Sequence, residues 1–483
     1  MNATLALIPL FLVLALLGSG RAGSLAAGLA GLAATVAVAG GLAIADSGPA
    51  AAIALLARET PVGLWLAWQV VTIVVTGVFF YRSTLTRAAA PTGNADAPTP
   101  RRLWSLCFLL APFAESVTGF GVGYVIALAA LRRLGLGAMP ALLLGLYSQT
   151  LVPWGALAVG TSVGAALAGL APGELGYRSA LLQIPIHALY LALYWRLVRQ
   201  AGVPVALKQK LDDIAWTALL LALLVLMNRR GDPEIAAAAP CALLLAVRFW
   251  RDERPDRARL IGALRASAPY VALTLLLCAT RLIAPVRDLL KPLAAIRPYD
   301  FLPAFAPFYS PGFWLLLVAG GVALSTRTPL SRLVSETARG AWRSCTVTLA
   351  FVLMAQLYLG SGMAAALAEG LRAGIGQWAV LGVPVFAATG GFLTGSGAAS
   401  NAMLLPMDIA LARALALDPA WIAAVQNSVT ANLSMLSPIR VSMGTAIMGM
   451  AAAEAALYRR AWPLGLPAIV TGLAAVLVML PGG

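Results

Sequence analysis

The chain has 483 residues, of which 60% are hydrophobic and 11% are charged. Soluble domains average roughly 45–50% apolar and about 25% charged residues, so the composition excludes a soluble multidomain enzyme and a disordered chain and predicts a polytopic membrane protein. The net charge of +15 comes from 34 basic and 19 acidic residues. Because basic residues of bacterial inner-membrane proteins concentrate in cytoplasmic loops, this charge indicates topology, and no nucleic-acid partner is expected.

Apolar runs of roughly 20 residues, long enough to cross about 30 Å of hydrocarbon, recur along the chain. The first run is preceded by no basic residue and followed by Arg21, the reverse of a signal peptide's charge order, so we predict a membrane helix there. The predicted spans are 3–20, 23–44, 60–81, 179–198, 261–284, 311–326, 341–360 and 462–480, with a shorter pair at 214–227 and 234–250.

Two further stretches, 103–171 and 376–455, are apolar but interrupted by Gly, Pro and polar residues. Irregular backbone at membrane depth survives only where protein or a water-filled cavity satisfies its polar groups, so we expect a functional site in these stretches. Each contains a Thr-Gly-x-Gly turn, then a polar segment and a proline. The first has Thr118-Gly119-Phe120-Gly121, Gln149-Thr150 and Pro153, and the second has Thr394-Gly395-Ser396-Gly397, Asn427 and Ser437-Pro438.

The two stretches also indicate an internal repeat. Their Thr-Gly pairs are 394 − 118 = 276 residues apart, and the same offset brings 60–81 onto about 336–357, beside the span at 341–360. We therefore predict that residues 1–200 form a first transporter repeat and residues 300–483 a second, with linking helices at 201–299.

Loop charge indicates that the two copies lie in opposite orientations. Loop 45–59 has one basic residue and its counterpart 327–340 has three, whereas loop 82–102 has four and its counterpart 361–376 has one. Under the positive-inside rule this reversal means inverted repeats. We predict an all-α polytopic membrane protein with about 12–14 membrane segments in two inverted repeats, with broken helices or hairpins at the midplane, an arrangement typical of secondary transporters.

Glu115 is the first candidate functional residue, because no basic residue lies in the apolar run around it. A carboxylate at membrane depth costs about 2.5–3.5 kcal/mol or more on insertion scales, so it should face the protein interior. We predict that Glu115 binds the coupling proton. The alternative interpretation is that Glu115 caps the helix after the glycine turn, where backbone N–H groups would satisfy its charge.

The two glycine turns should break their helices into halves, and a half-helix N-terminus presents free N–H groups to an anion. The alternative is that the small residues only allow close helix packing. An amide or a hydroxyl precedes each proline, and each proline leaves one backbone carbonyl without its helical donor. That carbonyl needs a partner, which could be the hydroxyl of a hydroxy acid, an ion or a water. Arg440 could be the counter-charge of a carboxylate substrate, or it could snorkel to the membrane surface, as we predict for Arg281. The predicted substrate-binding residues are Thr118, Gly119, Phe120, Gly121, Gln149, Thr150, Thr394, Gly395, Ser396, Ser400, Asn401, Asn427, Ser437 and Arg440.

Three segments resemble the L-lactate permease family: Glu115-Ser-Val-Thr-Gly-Phe-Gly121, Gly391-Phe-Leu-Thr-Gly-Ser-Gly-Ala-Ala-Ser-Asn401, and Asn427 through Met435-Leu-Ser-Pro438. The resemblance implies a proton-coupled carrier of small 2-hydroxy monocarboxylates such as lactate and glycolate, and a role for the residues of these segments. Two positions depart from the family pattern, because Gly397 stands where the family has Asp and Ser434 where it has Lys. Arg440 follows six residues after Ser434, which suggests an exchanged ion pair.

We therefore expect a secondary active transporter in the bacterial plasma membrane, working by proton symport and alternating access, and not an enzyme. The expected partners are a small organic carboxylate and membrane lipid. We predict no catalytic residue, no metal site and no cofactor, with the proton as coupling ion. The sequence leaves open a sodium-coupled organic-anion carrier, an anion channel and a homo-oligomer.

Overall fold

The computed structural model describes residues 3–85, 97–119, 121–230 and 232–480. Within these ranges the backbone is helical apart from turns, loops and one isolated antiparallel bridge between Ile296 and Phe305. Alanine and leucine, which dominate the sequence, are strong helix formers. A helix also satisfies its own backbone polar groups, as a chain in lipid requires.

The helices before residue 201 include the two first predicted spans and the first interrupted stretch. They are α1 (Ala3–Gly18), α2 (Ser24–Ser47), α3 (Pro49–Leu85), α4 (Pro100–Ser105), α5 (Ala111–Thr118), α6 (Val122–Arg133), α7 (Ala138–Tyr147), α8 (Gly155–Ala168) and α9 (Pro172–Gln200). A π-helical turn, Leu106–Leu110, joins α4 to α5, and a 3₁₀ turn, Val152–Trp154, precedes α8.

The helices after residue 200 begin with the linking segment. They are α10 (Leu207–Arg230), α11 (Pro233–Ala236), α12 (Ala238–Arg248), α13 (Arg257–Leu282), α14 (Ala284–Leu290), α15 (Pro311–Ser325), α16 (Leu330–Gly360), α17 (Met363–Ile375), α18 (Gly382–Thr394), α19 (Gly397–Ala414), α20 (Pro419–Leu433), α21 (Pro438–Ile447), α22 (Glu454–Ala461) and α23 (Leu466–Met479). Short 3₁₀ turns precede α18, α21, α22 and α23, and a π turn follows α12.

The chain is a multi-pass membrane protein with fewer spans than the 12–14 segments predicted. In the described ranges nine helical segments are long and apolar enough to cross a membrane, or ten if the bent pair α7 and α8 counts as one span. The prediction was too high because α1 and α15 have only 16 and 15 residues. In the interrupted stretches, α4, α5, α6 and α21 have only 6, 8, 12 and 10 residues.

Helices α3 and α16 pack against each other in antiparallel directions. Near the start of α3, Glu59 accepts a hydrogen bond of 2.7 Å from Gln356, and Arg58 donates to the carbonyl of Gly360, the last residue of α16. Near the other end, Gly340 of α16 lies against Val78 and Arg82. The pair therefore runs side by side over most of its length.

Each interrupted stretch contains a helical hairpin. Arg101 and Arg133, at the start of α4 and the end of α6, line the same cavity, so the chain reverses direction at the turn between α5 and α6. In the second stretch Gly390 of α18 lies against Ser400 and Leu404 of α19. We call α4–α6 the first hairpin and α18–α19 the second hairpin.

The segment between α7 and α8 is strongly bent. The two helices meet at 66°, and Ala156, Leu157 and Ala158 have φ values of 50°, 54° and 60°. Left-handed backbone costs an L-residue roughly 1–2 kcal/mol, so the surrounding packing must hold this turn in place. The bend brings the start of α8 beside the tip of the first hairpin, where Gly119 lies against Ala156.

The prediction that Arg281 snorkels was wrong. Its side chain is buried at the end of α13, where it forms a 2.8 Å ion pair with Glu234 and donates to the carbonyl of Tyr309. The Tyr309 hydroxyl donates to Asp232, and burial, followed by the nearby Asp232 carboxylate, raises the pKa of that hydroxyl. Arg281 finds partners inside the protein because the loops at 232–234 and 309–310 fold over the end of its helix.

Candidate functional site

Glu115 is buried at the tip of the first hairpin and is fully engaged. Its Oε1 accepts a hydrogen bond of 3.1 Å from the backbone N–H of Gly121, and its Oε2 accepts one of 3.0 Å from Gly123. These N–H groups belong to the start of α6, where the helix dipole favours an anion. The geometry therefore matches the capping interpretation of Glu115, and it leaves this helix terminus occupied by the protein's own carboxylate.

Arg440 completes this arrangement from α21. Its Nη2 lies 3.5 Å from Oε1 of Glu115, and both side chains are buried. Its backbone N–H donates to the Ser437 hydroxyl, which caps the helix. The other terminal nitrogen of Arg440, Nη1, is buried without a hydrogen-bond partner in the described part of the chain. The Glu115–Arg440 pair thus joins the first hairpin to the second half and retains spare donors.

The turn of the first hairpin requires glycine. Gly119 and Gly121 have φ values of 69° and 80°, and a Cβ on Gly119 would collide with Ala156. Thr118 donates to the carbonyl of Ala114 in its own helix, so its hydroxyl hydrogen is already used. Phe120, also predicted to bind substrate, lies outside the described residues.

The tip of the second hairpin is held mainly by its own hydrogen bonds. Thr394 donates to the carbonyls of Gly390 and Ser396, and Ser396 caps α19 by accepting from Ala399. Gly395, with a φ of 65°, lies against Ser437, the residue that caps α21. The two hairpin tips therefore approach α21 from different sides, through Gly395 and through Glu115.

A buried cluster of four polar side chains, the Asn401 cluster, links the second hairpin to α8 and α9. Asn401 donates to Asn427 (2.9 Å) and to the carbonyl of Gly160 (3.0 Å). Asn427 in turn donates to Thr161 and Ser179, at 3.0 Å each. The Oδ1 atom of Asn401 has no partner among the described residues, so the cluster can accept one further hydrogen bond.

Other predicted residues are buried but not joined to these groups by hydrogen bonds. Gln149 and Thr150 lie in the bend between α7 and α8, and their side-chain polar atoms have no partner in the described ranges. Ser400 accepts a hydrogen bond from Thr430 on α20. Buried polar groups without partners are costly, which makes the bend at Gln149 a place where water or a ligand would be stabilised.

Sequence reasoning missed Thr161, Ser179 and Thr430. Threonine and serine in membrane helices commonly bond their own backbone, so their presence in an apolar run gives no distinctive signal. The asparagines were visible because an amide cannot satisfy all of its donors and acceptors on its own helix. Once Asn401 and Asn427 face each other, hydroxyls on the packed helices become their natural partners.

A cavity of about 540 Å³ opens beside this site. It lies among α3, α8 and α16 and is covered by the loops before α11 and α15; its lining includes Gln69, Ser162 and Val352, and the cations Lys291 and Arg297. Ser162 is next to Thr161 of the Asn401 cluster, so the cavity reaches the neighbourhood of the cluster along α8. Its volume is within the range of about 300–1,000 Å³ typical of small-molecule sites.

Comparison with known proteins gives two matches. The family model described as L-lactate permease matches residues 292–480, a range that contains the second hairpin, Asn427 and Arg440. An L-lactate permease of Streptococcus iniae is 23% identical over 391 residues, which cover 74% of this chain and 80% of the relative. These matches confirm the resemblance that the three segments indicate: the chain is similar to an L-lactate permease over most of its length.

Proposed function

We propose that this protein carries L-lactate or a related small 2-hydroxy monocarboxylate across the bacterial plasma membrane together with a proton, by alternating access. The name of the Streptococcus relative supports the substrate class, and the many apolar helices support a membrane carrier. The observation that carries the proposal is the buried Glu115–Arg440 pair with its unused guanidinium nitrogen.

The pair provides a direct link between proton and substrate. A guanidinium binds carboxylates through two parallel N–H donors, and in the structure Arg440 makes a single contact of 3.5 Å to Glu115. When Glu115 takes up a proton, its attraction for Arg440 falls, and the carboxylate of lactate replaces it as the counter-ion. One proton and one anion thus enter the same site together.

The rest of the substrate needs hydrogen-bond partners that tolerate a hydroxyl. Gln149 and Thr150, in the bend beside the tip of the first hairpin, have side-chain donors and acceptors without partners in the described part of the chain. A site built to bond a substrate hydroxyl discriminates strongly against analogues that lack it, because its own polar groups would then stay unpaired. We therefore expect 2-hydroxy acids to be preferred over plain short-chain acids.

Inverted repeats would supply the two alternating states. The contacts of the two halves support such a repeat: Gly28 of α2 lies against Phe351 of α16, and Gly312 of α15 lies against Thr76 of α3. The offset of 276 residues brings α3 (Pro49–Leu85) onto 325–361, which overlaps α16 (Leu330–Gly360). Helices α3 and α16 are then equivalents that pack antiparallel, as two inverted copies must.

The function is tested in proteoliposomes that contain the purified protein. We expect labelled L-lactate to exchange against internal unlabelled L-lactate, and an acidic outside to drive its accumulation, whereas a sodium gradient has no effect. Glu115→Gln should keep lactate exchange and lose the pH dependence of KM. Uptake driven by a pH difference of one unit should fall about tenfold, which is the concentration ratio that one coupled proton provides.

The matched control is Glu59→Gln, because Glu59 is also a buried glutamate but lies between α3 and α16, bonded to Arg58 and Gln356. It should keep the wild-type pH dependence. Unchanged pH-driven uptake in Glu115→Gln would contradict the coupling role of Glu115, and absence of lactate exchange in the wild-type protein would contradict the substrate class.

A further inference from the structure

Asp408 carries a carboxyl group for which the described part of the chain provides no partner. Asp408 lies on α19 of the second hairpin and is fully buried. Both of its carboxylate oxygens lack hydrogen bonds in the described part of the chain. This differs from Glu115, which has two N–H donors and an arginine. An acid buried in this way inside a membrane protein is a candidate functional group.

No charged side chain on the neighbouring helices reaches Asp408. The packed helices α8, α18 and α20 contain no ionisable residue. On α17, Glu369 and Arg372 pair with each other at the surface, and Arg413 on α19 itself is exposed. The ionisable groups on α16 are Arg332, Glu336, Arg339, Arg343, Cys345 and Tyr358, none of which forms a hydrogen bond or ion pair with Asp408.

The position of Asp408 relates it to the proposed site. Helices α8 and α19 run alongside each other, since Gly160 lies against Gly397 and Gly164 against Asn401. Asp408 follows Asn401 by seven residues, which places it on the same face of α19 about 10 Å further along. At the other end of α8, Gly155 lies against Glu115.

The Asn401 cluster therefore has one carboxyl group on each side along α8. Glu115 is engaged with Arg440. Asp408 lies toward the C-terminal end of α19, beyond which Asp418, the N-cap of α20, pairs with Arg178 of α9. A charged carboxylate without a partner is strongly disfavoured in such a dry environment. While the second hairpin is packed in this way, Asp408 is therefore expected to be protonated and neutral.

We propose that Asp408 is a proton-binding site of the carrier, neutral whenever the second hairpin is packed as described and able to release its proton only when the hairpin moves and admits water. Each passage through the packed arrangement then carries a proton on Asp408. This inference rests on the proposed proton symport and assigns a second acid to it, separate from the acid that controls Arg440.

The test uses Asp408→Asn, which keeps the shape of the side chain and is permanently neutral, in proteoliposomes with labelled L-lactate. Exchange of internal and external lactate should stay within about twofold of wild type, and KM should keep its wild-type pH dependence. Accumulation driven by a pH difference of one unit should fall about tenfold, the full thermodynamic ratio that one coupled proton provides. The matched control is Asp418→Asn, an exposed acid beyond the same hairpin, which should leave accumulation unchanged.

The outcomes separate this inference from the proposed function. Wild-type accumulation that persists in Asp408→Asn would overturn the role of Asp408 alone, whereas wild-type protein that exchanges lactate without pH-driven accumulation would overturn proton symport and this inference together. If Asp408→Asn does not yield folded protein by size-exclusion chromatography, Asp408→Glu replaces it. That variant should accumulate lactate with a shifted pH profile, and an unchanged profile would overturn the inference.

Discussion

Arg440 has more hydrogen-bonding capacity than its surroundings use. Its guanidinium carries five N–H donors, yet its side chain makes one contact of 3.5 Å to Glu115, and Nη1 has no partner in the described ranges. By contrast, Arg281 has Glu234, Thr280 and the Tyr309 carbonyl as partners. Arg281 is therefore a structural residue, whereas Arg440 has N–H donors available for an additional acceptor.

Arg440→Lys tests this difference. Lysine keeps the positive charge and loses the planar pair of donors that a carboxylate prefers, so we expect KM for lactate exchange to rise about 10–100-fold, equivalent to about 1.4–2.8 kcal/mol of binding. The maximal exchange rate should change little. Arg343→Lys, at an exposed position near the middle of α16, is the control, and an equal KM for both variants would argue against a carboxylate contact at Arg440.

The individual charged and amide residues of the candidate site could be selected from the sequence, but their pairing could not. Glu115, Arg440 and Asn427 stand out in apolar runs because each is expensive there. That Glu115 meets an arginine 325 residues away depends on how the two hairpins pack, which local sequence does not encode. The same limit applies to Asp408, because local sequence does not show that its carboxylate lacks a partner in the described part of the chain.

At the scale of elements, the hairpins depend on a few left-handed positions. The first hairpin reverses at Gly119 and Gly121, and the second at Gly395. Such positions favour glycine because a Cβ there clashes with the backbone, so the Thr-Gly-x-Gly pattern could predict both turns. Whether each break produces a kinked span or a hairpin was left open by the sequence, since that choice depends on packing against α8 and α21.

Gly119→Ala and Gly169→Ala separate backbone strain from crowding. Both glycines have a φ of 69°, but a Cβ on Gly119 would collide with Ala156, whereas nothing lies within 4 Å of a Cβ on Gly169. We expect Gly169→Ala to cost about 1–2 kcal/mol and to keep transport. Gly119→Ala should cost about 1–3 kcal/mol more from overpacking and lose transport.

Thermal unfolding in detergent, together with lactate exchange, measures both effects. Equal losses of stability and of exchange in the two variants would mean that the approach of the first hairpin to α8 has no role beyond backbone conformation.

At the scale of the whole molecule, the linking helices and their loops cover the large cavity. The sequence predicted an insert at 201–299, and the loops at 232–234 and 303–311 line the cavity together with α3, α8 and α16. Its lining contains charged residues of both signs, Lys291 and Arg297 together with Asp232 and Glu234, so its net charge does not by itself favour a carboxylate. The sequence could not predict this cavity, because it forms between segments far apart in the chain.

The orientation of the two halves gives the last prediction. If the repeats are inverted, the N-terminal ends of α3 and α16 must lie on opposite sides of the membrane. Ser47 and Ser331 lie close to these two ends. Both residues are exposed.

In a variant without Cys107, Cys241, Cys278 and Cys345, we expect Ser47→Cys to react with a membrane-impermeant maleimide added to intact cells, and Ser331→Cys to react only after permeabilisation. Ala206→Cys is the control that should behave like Ser331→Cys, because Arg199 and Lys208 flank its loop and basic loops are expected to be cytoplasmic. Labelling of Ser47→Cys and Ser331→Cys from the same side would contradict inverted repeats, and a carrier that alternates by exchanging equivalent halves would then need a different structural basis.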